Sequence, residues 1–339
     1  MSNYPTVNYI GNKEKISDWI VDNLPIKDGV VLDLFCGGCS VSYALKQKGY
    51  SVISNDALYS NFVLAKAIIE NSRTLLSIDN FKNILPSKDE IEKLSNELSF
   101  LKNKVYFDYE VDELAKLILI SYSLKSYKKY MFLALLRRAM IRKIPYSRMN
   151  IKWEEIQKFR DEEYSYKKYG RYRHYHNIPF IEHIKLNLEE YNDSLICNDS
   201  KCKAMQKDAL DCVKTIKEKV DLIYIDPPYP STMNKYDEFY GYFDSMFNKN
   251  IEFKVDLTDK KTFLDNFYQI IKAAKNKTKY LAISLNNKCY PDVEILIDKI
   301  KELICDYSIK TTEHVYKVTG KENKHTNYEI LLICKMKEN

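Results

Sequence analysis

Long apolar runs are missing from this chain. Its 339 residues contain no window of about 18 uninterrupted apolar residues, the length a membrane-spanning helix needs. The N-terminus also lacks the apolar core of a secretory signal peptide. Together the two absences predict a cytoplasmic protein with no membrane partner. Zinc-finger spacing is missing as well. The eight cysteines stand scattered at 36, 39, 197, 202, 212, 289, 305 and 334. Only Cys36 and Cys39 form a CxxC, and they lie in a glycine turn with no second pair. Reduced, buried thiols are expected, with no disulfide framework and no bound metal. Neither a GxGxxG nor a Gly-Lys-Ser/Thr occurs, so pyrophosphate is the weaker reading for any glycine loop here. No internal repeat, long linker or low-complexity tail is present. The lack of a metal-nuclease constellation argues against a fused restriction activity.

What is there suits a large α/β core with an insertion. Hydrophobic residues make up 45%, the formal charge is a mild +6, and tyrosine is abundant at 28. One stretch organises the rest, Asp221-Leu-Ile-Tyr-Ile-Asp226-Pro227-Pro228-Tyr229. Its first half is a nearly continuous apolar run, as in a strand buried on both faces. Two prolines then donate no backbone hydrogen bond, so the chain must leave the sheet at Asp226. The loop carries a carboxylate, carbonyls preceding imide nitrogens and an aromatic face. Those groups suit a flat heterocycle with an exocyclic amine.

Upstream, Tyr9-Ile-Gly11-Asn12-Lys13 opens an amphipathic helix from Glu14 to Leu24. Free amides beside a lysine can hold a carboxylate, although such a corner is also an ordinary helix start. Next, Val30-Val-Leu-Asp33-Leu-Phe35-Cys36-Gly37-Gly38-Cys39-Ser40 reads as a strand running through glycines into a helix. Glycine lets the backbone approach a ligand closely. A second strand from Ser51 leads to Asn55-Asp56. An acid at that place either grips a ribose diol or caps a helix.

The ordered set of these motifs resembles Dam-like, alpha-group DNA adenine-N6 methyltransferases. The resemblance implies a seven-stranded, Rossmann-like domain that uses S-adenosyl-L-methionine. It implies that Tyr9, Gly11, Asn12, Lys13, Asp33, Phe35, Cys36, Gly37, Gly38, Ser40, Asp56, Asp208, Ala209 and Asp226 lie at the cofactor. The family often has a bulkier residue than Ala209. Asp226, Pro227, Pro228 and Tyr229 would do the chemistry, Asp226 and the Pro227 carbonyl holding the amine and Tyr229 stacking on the base. Asp at 226, rather than Ser, leans toward adenine. The extension after Tyr229, Pro230 to Gly241, also looks like members of this group.

Between the two halves, residues 79–198 read as a largely helical insertion, leaving 1–78 and 199–339 for catalysis. From Lys125 to Arg173 the chain carries fifteen Lys or Arg against five Asp or Glu, interleaved with tyrosines. That is the electrostatic footprint of a nucleic-acid surface. Arg137, Arg138, Arg142, Lys143 and Arg148 are candidate contacts, the first four along one helix up to Ile144-Pro145. Residues 171–180 resemble the family's recognition hairpin, with Arg171, Arg173 and Asn177 as base readers; His174 and His176 in it are expected to contact DNA rather than metal. After Tyr229 a loop, a helix from Lys261 to Asn276, a strand from Lys279 to Leu285 and a helix from Val293 to Ile304 are expected. Tyr307 to Val318 would pair with Tyr328 to Cys334 around a polar turn, Gly320 to Asn327. The expected activity is site-specific methylation of adenine N6 in double-stranded DNA by base flipping, by a monomer with a possible separate restriction endonuclease. An RNA or cytosine-N4 amino-methyltransferase, or an inactive DNA-binding relative, would share the motifs.

Overall fold

The computed structural model describes residues 3–230, 232–313 and 328–338. The chain divides into two compact units. The first comprises Gly11–Ala57, Asn198–Tyr236 and Ile251–Asn339; the second comprises Met1–Ile10, Leu58–Cys197 and Asp237–Asn250.

The first unit is built on a seven-stranded sheet: β1 (Val30–Asp33), β2 (Ser51–Asp56), β3 (Lys203–Gln206), β4 (Leu222–Ile225), β5 (Tyr280–Asn286), β6 (Ile304–Glu313) and β7 (Tyr328–Met336). Its order is β3-β2-β1-β4-β5-β7-β6, parallel from β3 to β5 and antiparallel through β7 and β6. The central strand is β4, and all four of its residues are buried. Its lack of polar alternation is the mark of a strand covered on both faces.

Parallel neighbours need crossovers; the helices Ser40–Gln47 and Phe263–Ala274 supply two of them, and Ala209–Thr215 carries the chain from edge strand β3 to β4. Phe263, Phe267, Ile270, Ile271 and Ala274 recur at helical spacing and are wholly buried against the sheet core. The helix Val293–Ile300 ends earlier than its apolar pattern suggests, because Ile304 already opens β6. The expected closing pair forms between β6 and β7. The predicted strand end His314–Val318 and the predicted turn Gly320–Asn327 lie outside the described residues, as does Ser231.

In the second unit the described regular elements are helices, chiefly Tyr59–Ala65, Lys88–Glu97, Asp108–Ser123, Ser126–Arg142, Trp153–Arg160, Glu162–Tyr169 and Phe180–Asp193. Ser87 and Glu90 close a reciprocal cap on Lys88–Glu97. Ser126–Arg142 stops just before Ile144-Pro145, as the proline requires. Within the unit Glu110, 1% exposed, bonds both Lys143 (2.9 Å) and Arg160 (2.8 Å).

The unit boundaries differ from those read in the sequence. Leu58 to Ile78 and the segment 237–250 pack with the helical unit. A capping contact shows why. The amides of Tyr59 and Ser60, at the start of Tyr59–Ala65, donate to the Asp244 carboxylate at 2.6 and 2.9 Å. Asp244 lies on a helix, Tyr236–Met246, in a stretch that reads as loop. A second tie joins Tyr240, whose hydroxyl accepts from the Ile10 amide and whose ring stacks on Tyr9 at 5.1 Å.

Candidate functional site

The order of the sheet fixes where a ligand can sit. From β1 the chain continues to β2 on one side, while β4 lies on the other. The carboxyl ends of β1 and β4 therefore flank a topological switch point, where open α/β sheets bind ligands. Asp33 ends β1, Asp56 ends β2 and Asp226 follows β4.

The loop after β1 is pinned from both neighbours. Leu34 donates its amide to the Tyr224 carbonyl, and Cys36 donates to Asn55. Gly37, at φ 48°, donates its amide to one Asp56 oxygen at 2.9 Å. The Asn55 side chain bonds the carbonyls of Leu34 and Lys207, tying the loop to the segment before Asp208. Phe35 packs partly buried against the sheet core. Gly38 completes the turn, and Ser40 opens the next helix, buried. Cys36 and Cys39 face each other with sulfurs 3.8 Å apart, and this contact together with burial pushes the Cys36 thiol up.

Asp33 is almost wholly buried. Ser42 donates to its Oδ2 at 2.6 Å and lies 2.7 Å from Ser54. Its Oδ1 is buried without a partner among the described residues. Burial raises the carboxyl to about 7, with Asp226 and Asp56 adding to the rise. Asp208 caps the helix Ala209–Thr215 through the amides of Leu210 and Asp211 and accepts from Lys254. Ala209 is buried beside it.

At Asp226 three charges meet. The Lys13 ammonium lies 3.6 Å from Asp226 and 3.3 Å from Glu329 on β7. Burial raises the Asp226 carboxyl to about 6; Lys13 opposes the rise and Glu329 adds to it. Pro227 and Pro228 turn the chain into Tyr229, whose hydroxyl donates to the Ser284 carbonyl on β5 at 2.9 Å. The Tyr229 carbonyl accepts from Thr232 and Asn234, which fixes the loop. Glu329 was not evident from sequence, although a lone acid inside the apolar run Tyr-Glu-Ile-Leu-Leu-Ile was the available signal.

Gly11 and Asn12 lead into Lys13. Gly11 sits at φ +80°, and a Cβ there would meet the Tyr236 hydroxyl at 2.7 Å. Gly11→Ala is therefore strained twice, by backbone and by contact. We expect Gly11→Ala to displace Lys13 and to lower the methyl transfer that the motif resemblance implies by about ten-fold or more, a loss of about 1.4 kcal/mol in transition-state stabilisation. Steady-state kinetics on a variant shown folded by circular dichroism check it; unchanged activity would contradict the placement.

The family model for D12 class N6 adenine-specific DNA methyltransferases matches residues 9–318. The chain belongs to this family. The D12-class enzyme is similar to the type II methyltransferase M2.HphI of Haemophilus parahaemolyticus, 40% identical over 335 residues and covering 97% of both chains. It is more distantly similar to the type II methyltransferase M.FokI of Planomicrobium okeanokoites, at 23% identity over 94% of this chain and 50% of the relative. The modification methylase StsI of Streptococcus sanguinis is 26% identical over 96% of this chain and 50% of its own. Family membership makes the D12-class chain an adenine-specific DNA methyltransferase and sets aside the RNA and cytosine-N4 readings.

In the helical unit of this D12-class methyltransferase, the basic residues separate into two groups. Arg137 and Lys143, expected at DNA, are 1% exposed. Arg137 donates to the Val7 carbonyl and the Asn61 side chain and lies over the rings of Tyr240 and Tyr9. Lys143 pairs with Glu110 and donates to Ile178. Neither can reach a phosphate, because each is consumed by the unit's interior. His176 is buried too and held neutral, burial pulling it down to about 3.

Arg138 pairs with Glu190, and Arg142 lies 3.8 Å over the Tyr175 ring. Both line a pocket of about 270 Å³ with Thr6, Asn8 and Asn187. Arg148 lies over Phe239, and Arg173 over Phe159 and Tyr169 at 4.6 Å. Arg171 is exposed; Asn177 spends its amide on Arg160 and Glu162. The expected hairpin is not a pair of strands. Residues 174–176 form one tight helical turn before Phe180–Asp193, because Asn177 and buried His176 tie the segment back to the unit.

Among the described residues no group of three or more His, Cys, Asp or Glu is placed to hold a metal, and no helix is long and apolar enough to cross a membrane.

Proposed function

We propose that this enzyme uses S-adenosylmethionine to methylate adenine N6 at a specific duplex site, in the cytoplasm and as a monomer, with the adenine flipped out of the stack. The observation that carries the reading is Asp226 at the switch point, partly desolvated yet held by Lys13. The first unit fits the cofactor: the Gly37-Gly38 turn permits close approach, Asp56 stands at the carboxyl end of β2 bonded to the Gly37 amide, and buried Asp33 Oδ1 lacks a donor among the described residues. Asp33, Phe35, Cys36, Ser40, Asp56, Asp208 and Ala209 would hold it, together with Gly11, Asn12 and Lys13 of the same unit.

When bound, the cofactor supplies a methyl on a sulfonium, a leaving group that needs no acid. The protein's work is therefore positioning. The target amine lies edge-on inside a base pair, so the base must leave the stack. Asp226 and the Pro227 carbonyl accept the amine's two N–H groups and aim its lone pair; Tyr229 offers its ring to the base. Arg138, Arg142, Arg148 and Arg171 are the remaining basic candidates for phosphate, and Arg173 and Asn177 position the turn. The relatives are type II methyltransferases and a modification methylase, which supports a restriction-modification setting; a separate endonuclease would complete it.

The test is tritiated-methyl transfer to duplex DNA, RNA or no nucleic acid, with label expected on DNA alone. Equal labelling of RNA would overturn the reading. For the cofactor, Asp56→Ala removes a charged acceptor bond, worth about 1.5–3 kcal/mol. S-adenosylmethionine affinity should fall by roughly ten-fold or more, read by calorimetry; unchanged affinity in a folded variant removes Asp56 from the site.

A further inference from the structure

We infer that Glu329 is a positioning residue for methyl transfer: its carboxylate shares the Lys13 ammonium and so keeps Asp226 available to the target amine. The inference rests on the reading of Asp226 as the group that holds this amine.

Glu329 is 0% exposed. It sits on β7 opposite Asn286 of β5 and Thr312 of β6. Its strand neighbours Ile330, Leu331 and Leu332 are apolar, and a sheet of this kind has no structural need for a carboxylate there. A buried carboxylate persists only where a partner holds it. Lys13 pairs with it at 3.3 Å, and the same ammonium stands 3.6 Å from Asp226. Both separations exceed the roughly 2.7–2.9 Å of a tight ammonium–carboxylate bond. An ammonium is a compact charge with three donors. Placed between two acids, it is pulled from both sides and is divided between them.

Two consequences follow for the chemistry. First, Asp226 shares the ammonium with Glu329 rather than holding it alone, which leaves its carboxylate more able to accept the amine. Second, Glu329 adds negative charge beside Asp226. With a sulfonium methyl donor bound, transfer to the amine nitrogen would leave positive charge there until the nitrogen's proton passes to solvent. The carboxylates of Asp226 and Glu329 beside that nitrogen would stabilise the charge where it develops.

Glu329→Gln tests this, since it keeps the shape and removes the charge. The readouts are kcat, KM for S-adenosylmethionine and the pH dependence of kcat/KM on duplex DNA. The acid limb reports Asp226, whose surroundings are Lys13, Glu329 and Asp33, with Tyr224, Tyr229 and Cys289 beside them. In the variant Lys13 closes on Asp226, so kcat should fall about ten-fold with KM within about two-fold, and the acid limb should move down by about one pH unit. A wild-type kcat with an unmoved limb overturns the inference. So does a lost kcat whose limb stays put, because that is what a merely structural role gives. Should the Gln variant not fold, Glu329→Asp decides by the same readout: the withdrawn carboxylate gives a smaller shift in the same direction, and an unmoved limb overturns the proposal. Asp226→Asn runs alongside. If it retains wild-type kcat, the reading of Asp226 fails; if it is dead while Glu329→Gln is unaffected, only the role of Glu329 fails.

Discussion

Replacing Asp226 by alanine should reduce methyl transfer on the order of 10³-fold or more, the scale seen when one preorganised polar group facing the reacting atoms is removed. The fold and non-specific DNA binding should survive. Asp226 follows the central strand, and its carboxylate answers to Lys13 rather than to the core. Its pH behaviour supplies a second check. The carboxylate must be ionised to accept the amine, and burial raises it to about 6. Activity in kcat/KM should therefore climb through about pH 6 and level off above it. Stability should run the other way. A carboxyl raised on folding favours the folded state at low pH, and that contribution is lost as pH rises through about 6. Asp226→Asn should accordingly gain stability over the parent at pH 8, by at most about 3 kcal/mol, and none below about pH 4. An Asn variant less stable at pH 8 would contradict the desolvated-acid account.

The second large effect belongs to Glu110. It holds two buried cations, Lys143 at 2.9 Å and Arg160 at 2.8 Å, and it also accepts from the Phe107 amide. Glu110→Ala leaves both cations in the interior with only carbonyl and ring partners. Breaking such a pair costs about 3–5 kcal/mol, which should lower the melting temperature of this part of the chain by about 10 °C. Hydrogen exchange confined to the helical unit would show where the loss falls. A melting temperature within about 2 °C of the parent would contradict it.

Those two acids show what was legible in the sequence. Asp226 was, because an apolar strand ending at Pro-Pro is a local pattern, and the same holds for the glycine turn after Asp33 and the acid at Asp56. The sheet's closing pair was legible from its apolar runs. Glu110 was not, since a helix-start acid looks alike whether it faces water or two cations. Arg137 and Lys143 counted toward a basic surface for the same reason: a charge tally sees cations but not distant partners such as Asn61 and Glu110. The unit boundary was hidden in a cap supplied across 185 residues by Asp244 to Tyr59. Glu329 stayed hidden because its meaning depends on Lys13, at the other end of the chain.

The central claim is that the Asp226-Pro-Pro-Tyr229 loop places a methyl on adenine N6 at a defined duplex sequence. Sequencing that detects modified bases, applied to DNA from cells expressing the enzyme, its Asp226→Ala variant or neither, tests it most directly. The account predicts N6-methyladenine at one recurring motif in the first sample and in neither of the others. Methylcytosine in place of methyladenine, or an equal mark in the Asp226→Ala sample, would contradict it.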